Sequence, residues 1–226
     1  MDQTSPFLEF AQDKLQIFAL LFMAAIYTLK IRWILHFPAG RDRQAPGGRP
    51  GTGASTGARR SLWGVALPWS MASTRRHPFL YAQFVVFHLG VAASIAMSFV
   101  IPYAPGWLAH RGIVRALQML FGVAAAVGLF RLARRVISPY LRSISSPDDY
   151  FSLALLVVWL AFSFLAAPND RRAGEAPLLA YFLLTAFFLV YVPFSKISHY
   201  IYYPFTRWYL GKTLGHRGVY PVMRGA

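Results

Sequence analysis

The chain has 226 residues, 56% of them hydrophobic and only 14% charged, a balance too apolar for a soluble domain and characteristic of a polytopic membrane protein. The net charge of +15 is concentrated in particular loops, so it speaks to membrane orientation, and no nucleic-acid partner is expected. The absence of cysteine excludes c-type haem attachment, cysteine-ligated iron–sulfur clusters and disulfides within the chain.

Hydropathy predicts an all-α membrane protein. A bundle of five transmembrane helices is expected over about 15–35, 79–101, 112–132, 150–167 and 178–203, within one membrane domain covering 1–226. Each stretch is near the ~20 residues that cross a hydrocarbon core. Asp2, Glu9 and Asp13 precede the first stretch and only Lys14 opposes them, so it lacks the basic start of a secretion signal and reads as a retained helix. A basic Gly/Pro-rich loop follows at 38–76, with Arg41, Arg43, Arg49, Arg59, Arg60, Arg75 and Arg76. Its 38–61 part is too rich in Gly, Pro, Arg and Ser to bury a core and is expected to be flexible. It reads either as a solvated loop touching anionic headgroups or as an arm that orders on a partner. Gly47 and Gly48 precede no strand–helix pair and do not make a nucleotide loop.

Arg134, Arg135 and Arg142 follow the third stretch. The fourth has a marked start, with Ser146 as N-cap, Pro147 in the first turn, and Asp148 and Asp149 at the positive helix end. The fifth can continue past Tyr203, because Pro204 bends a helix without necessarily ending it in a bundle. The basic tail, 204–226, carries Arg207, Lys212, Arg217 and Arg224, whereas the loop before the fifth stretch mixes Asp170 and Glu175 with Arg171 and Arg172. The positive-inside rule then places the N-terminus outside and the C-terminus in the cytoplasm.

His88 and His199 stand inside two apolar stretches distant in sequence. An ionisable group in lipid is costly and usually faces the bundle interior with a partner. Neutral imidazole is the usual ligand of haem iron, so the two suit the axial positions of one haem. The alternative is a pair of interior histidines bonded to hydroxyls or carbonyls. Both fall in the cytoplasmic half of the expected bundle. Gly90, Ala92, Ala93 and Ser94 let either a flat ring or a neighbouring helix approach. Lys196 and Arg207 flank His199, and Arg75, Arg76, Arg131 and Arg134 lie at the same face; each is a haem-propionate partner or a topology-setting, snorkelling cation. His77 and His216 read as surface or partner contacts, and His36 and His110 as interfacial residues.

Three segments in register carry a resemblance. Phe87-His88-Leu89-Gly90, Arg134-Arg135-Val136-Ile137-Ser138-Pro139 and Pro193-Phe194-Ser195-Lys196-Ile197-Ser198-His199 resemble motifs of the NarI-like cytochrome b family, the gamma subunits of membrane-bound respiratory nitrate reductases. The family has five spans in the same orientation and typically binds two b haems, one near each membrane face. The resemblance implies His88 and His199 as metal and cofactor ligands of the inner haem. The family's outer ligands correspond to Ser98 and Tyr181 here, neither a histidine, which implies one haem b. A Tyr181/Met97 pair is the alternative ligand set there.

Similar subunits serve the high-molecular-weight cytochrome c complex of sulfate-reducing bacteria, where a periplasmic multihaem cytochrome is linked to a cytoplasmic iron–sulfur protein. The resemblance thus implies an inner-membrane, multi-pass subunit in anaerobic electron transport, with other membrane subunits, a cytoplasmic iron–sulfur protein and, indirectly, a periplasmic multihaem cytochrome c as partners. A bis-histidine iron has no open position, so the subunit relays electrons and is not catalytic alone. Menaquinone beside the haem is the first rival, with Gln83, Gln118 and Lys196 as polar lining. A haem-free membrane anchor is the second. A transporter fits less well, since no inverted repeat or matched pair of broken helices is visible.

Overall fold

Among the described residues of the computed structural model, five helices are long and apolar enough to cross a membrane, the number read from hydropathy. The structure describes residues 4–36, 43, 45, 53–67, 69, 72–172 and 174–218. Asp2, Arg41, Gly47, Gly48, Arg49 and Arg224 lie outside them. Among the described residues there is no strand.

The first span, Pro6–His36, is two helices, α1 (Pro6–Gln12) and α2 (Lys14–His36). It starts earlier than 15 because Ser5 caps it. The Ser5 hydroxyl accepts the Leu8 N–H at 3.2 Å and Pro6 takes the first helical position. A helix α3 (Ala54–Ala66) and a short α4 (Ala72–Arg76) come next. The second and third spans are α5 (Pro78–Tyr103) and α6 (Arg111–Ile137), followed by the short α7 (Pro139–Ser143). α6 runs past the expected end at 132 because arginines are good helix formers whose long stems reach outward. The fourth span is α8 (Pro147–Ala166), and the fifth begins as α9 (Ala176–Tyr191).

The fifth span does not run unbroken to 203. It ends at Phe194 after a 3-10 turn over Val192–Phe194, and a new helix, α10, covers His199–His216. Pro193 has no N–H to continue the ladder, and Ser195 is extended (φ −103°, ψ 169°). The Ser195 hydroxyl donates to the Val192 carbonyl at 3.1 Å and accepts the Ile197 N–H at 3.2 Å, which satisfies the groups the break frees. Pro204, as the sequence allowed, sits inside α10 without ending it.

The chain divides into two compact units. One comprises the residues up to Leu29 with Phe79–Ile197; the other comprises Lys30–Pro78 and the chain from Ser198. In the first, α5, α6 and α8 meet through small residues. A Cβ on Gly90 would stand 2.4 Å from the Ala124 Cβ, and one on Gly128 2.6 Å from Val157. Gly90 is therefore spent on helix packing. Buried polar groups pin α5, α8 and α9 together. Ser94 bonds Ser163 at 2.5 Å, Trp159 Nε1 donates to Thr185 Oγ1 at 2.9 Å, and Tyr181 OH donates to the Ser94 carbonyl at 2.6 Å. Gln16 of α2 donates to the Phe182 carbonyl at 2.8 Å, Ser5 N–H to Glu175 at 2.9 Å, and Tyr103 OH to Asp13 at 3.0 Å. Hydrogen bonding from Ser5, side chain first and then backbone, holds the Glu175 carboxyl below the usual carboxylate range.

In the second unit α3 and α10 cross at backbone contact. A Cβ on Gly57 would stand 2.2 Å from the Gly211 carbonyl oxygen, one on Gly211 2.5 Å from Ser61 Cβ, and one on Gly215 2.3 Å from the Gly53 carbonyl oxygen. The pairing runs antiparallel, with 53 near 215 and 61 near 211. Residues 54–61 are thus a helix, and the expectation that all of 38–61 is flexible does not hold for them. Their glycine and serine content, which argues against a core of large side chains, is what lets two backbones touch.

Candidate functional site

His88 lies midway along α5, in the first unit, and is half-buried. Its Nδ1 is 2.7 Å from the Phe84 carbonyl oxygen, one turn earlier. A carbonyl only accepts, so Nδ1 carries the proton and Nε2 keeps its lone pair. This is how ligating histidines are usually held, with the second nitrogen anchored to a carbonyl. The Phe84 ring packs on the imidazole at 4.0 Å between centroids. His199 is the exposed first residue of α10, in the second unit. The two imidazoles thus belong to different units of the chain.

Lys196 and Arg207 are both engaged by protein groups. The Lys196 ammonium pairs with Asp149 at 2.7 Å and its N–H donates to Asp148 at 2.9 Å. Arg207 Nε donates to the Ser61 carbonyl at 3.3 Å, and its guanidinium lies 6.0 Å from the Tyr203 ring centre. Arg207 therefore helps join α10 to α3, and Lys196 joins the end of the fifth span to the start of the fourth.

That second link belongs to a larger junction. Asp149 accepts the Ser146 N–H at 2.8 Å, closing the cap that the sequence predicted. It also stands 3.7 Å from Arg135, whose guanidinium donates to Ser145 Oγ at 2.7 Å. Asp148 accepts from Ser152 at 3.1 Å and from the Tyr191 hydroxyl. Two adjacent carboxylates so tie together the ends of α6, α8 and α9, including residues from two of the three motif segments. Sequence reading took the pair only as first-turn acids. The available signal was a cation, Lys196, directly after a Pro-Phe-Ser break.

At the positions matching the family's outer ligands the interior is filled. Tyr181 is fully buried and its ring lies parallel to Trp159, 6.4 Å between centroids. Ser98 donates to its own helix, to the Ile95 carbonyl at 2.7 Å. Met97 is buried as well. Gln118 donates to the Phe164 carbonyl at 3.3 Å, and Gln83 is buried. His77 is exposed, His36 and His216 end α2 and α10, and His110 precedes α6 with Nδ1 3.3 Å from the Gly106 carbonyl oxygen. Among the described residues no group of three or more His, Asp or Glu is arranged for a metal ion.

These features define a multi-pass membrane protein with five candidate spans. The chain is 28% identical over 170 residues to a protein of Nitratidesulfovibrio vulgaris (strain Hildenborough) named only "Protein", covering 69% of this chain and 70% of that one. No family profile matches the chain, and no solved structure does.

Proposed function

We propose that the chain is a membrane cytochrome b subunit of a respiratory electron-transfer complex, with His88 and His199 as the axial ligands of one haem b. The observation that carries the reading is the His88 ring. Its Nδ1–H is tied to the Phe84 carbonyl, the anchoring that fixes the ring orientation of iron-ligating histidines. When bound, the haem supplies one-electron relay. Two histidine ligands leave iron no open position, so substrate chemistry belongs to partners.

The filled interior around Tyr181 and Ser98 supports a single haem. The Tyr181 phenol is already committed to the Ser94 carbonyl, and freeing it to ligate would cost that buried hydrogen bond. The positive-inside pattern supports an outside N-terminus and a cytoplasmic C-terminus in a bacterial inner membrane. The resemblance favours a cytoplasmic iron–sulfur protein and other membrane subunits as neighbours, with menaquinone as the membrane reductant or oxidant to be tested.

Pyridine haemochrome analysis of the purified protein tests the assignment. One b haem per polypeptide is expected, lost in both His88→Ala and His199→Ala, with a low-spin bis-imidazole spectrum in the unmodified protein. No haem signal, or equal haem in all three, leaves a membrane anchor. Two b haems would overturn the reading of Ser98 and Tyr181.

A further inference from the structure

α3 and α10 are suited to neither water nor hydrocarbon. α3 has 13 residues, too few to cross a bilayer. α10 has 18 but is not among the helices apolar enough to span. Neither helix contains an Asp or Glu. Their Gly faces are consumed by each other. The surface left over carries exposed Trp63, Trp208 and Tyr209 beside exposed Arg59, Arg60 and Lys212. Tryptophan and tyrosine with interspersed cations is the composition of the headgroup layer, where rings sit at the acyl boundary and basic heads meet lipid phosphates. The four residues 195–198 join the last span to α10, so the chain itself tethers this helix to the membrane.

We propose that the α3–α10 pair is an interfacial platform that lies on the bilayer and binds its anionic phospholipid headgroups through Arg59, Arg60 and Lys212, with Trp63, Trp208 and Tyr209 as aromatic anchors. The occupant is anionic lipid because the exposed charge is of one sign and the large exposed side chains are aromatic or aliphatic, Leu210 and Leu214 among them. The Gly57–Gly211–Gly215 crossing buries the facing sides of both helices and leaves their outer faces exposed.

The test uses the full chain in nanodiscs. It has no cysteine, so Tyr209→Cys accepts a single spin label. Immersion is read as the ratio of oxygen to nickel-chelate accessibility, in discs of phosphatidylcholine alone and of phosphatidylcholine with phosphatidylglycerol. The label is expected to be immersed in the phosphatidylglycerol discs and more exposed in phosphatidylcholine alone. Arg59→Gln, Arg60→Gln and Lys212→Gln should each shift the immersed-to-exposed ratio about fivefold toward exposed. These exposed positions bear no haem ligand, so haem content should stay constant and the two proposals fail separately. Equal solvent exposure in both disc types would overturn the platform. So would a label shielded only when a soluble partner copurifies, which would make this face a protein interface.

Discussion

His88 illustrates how much one hydrogen bond decides. The sequence places an imidazole in an apolar span; the Phe84 carbonyl at 2.7 Å assigns its tautomer. Asp149 illustrates the reverse, since its type was read correctly and its partners were not. Its carboxylate caps Ser146 and pairs with Lys196. Asp149→Ala should cost about 1–2 kcal/mol through loss of the cap, measured as thermal unfolding in detergent. Lys196→Met should cost under about 1 kcal/mol, because the lysine side chain is 57% exposed and solvent screens the pair. The double variant should cost less than the sum, since the two share one contact. An additive result would show that the pair does not couple. The same reasoning explains Tyr181. A tyrosine in a span is ambiguous until its hydroxyl is seen to donate to Ser94 and its ring to lie along Trp159.

At the scale of elements, the apolar run of 178–203 is the instructive case. Hydropathy averages over a window and cannot see that Pro193 and Ser195 interrupt the ladder within it. The break separates His199 from the fifth span and makes it the head of a different helix. The α3–α10 pair was missed for a related reason. Gly53-x-x-x-Gly57-x-x-x-Ser61 and Gly211-x-x-x-Gly215 are small residues at helical spacing, legible as a contact pattern, yet Gly-rich composition argued for a loop. Gly57→Leu should open the pair, because its first side-chain atom already falls 2.2 Å from the Gly211 carbonyl oxygen. Trypsin should then cut after Arg59 and Arg60 at least tenfold faster than in the unmodified protein, on the order of the 1–3 kcal/mol of overpacking. Ser55→Ala, on the exposed face, should leave cleavage unchanged, and a Gly57→Leu protein as resistant as its parent would contradict the crossing.

On the proposed topology, five crossings put residues 4 and 218 on opposite sides of the membrane. Single cysteines at Ser143, between α6 and α8, and at Asp170, between α8 and α9, report which is which. A membrane-impermeant maleimide applied from outside should label Asp170→Cys and spare Ser143→Cys, as the arginine distribution requires. The opposite pattern would invert the orientation and move His199 to the outer side.

The sequence by itself determined the solvent in which the chain folds, the number of spans, the capped start of α8 and the motif segments that bear His88 and His199. These follow from local composition summed over twenty residues, and lipid leaves the backbone almost no alternative to helix. Only the tertiary structure decided which polar groups pair: Tyr181 with Ser94, Lys196 with Asp149, Arg207 with Ser61. Hydrogen bonds and close helix crossings depend on distances between segments up to 170 residues apart. Local pattern carries no such distance.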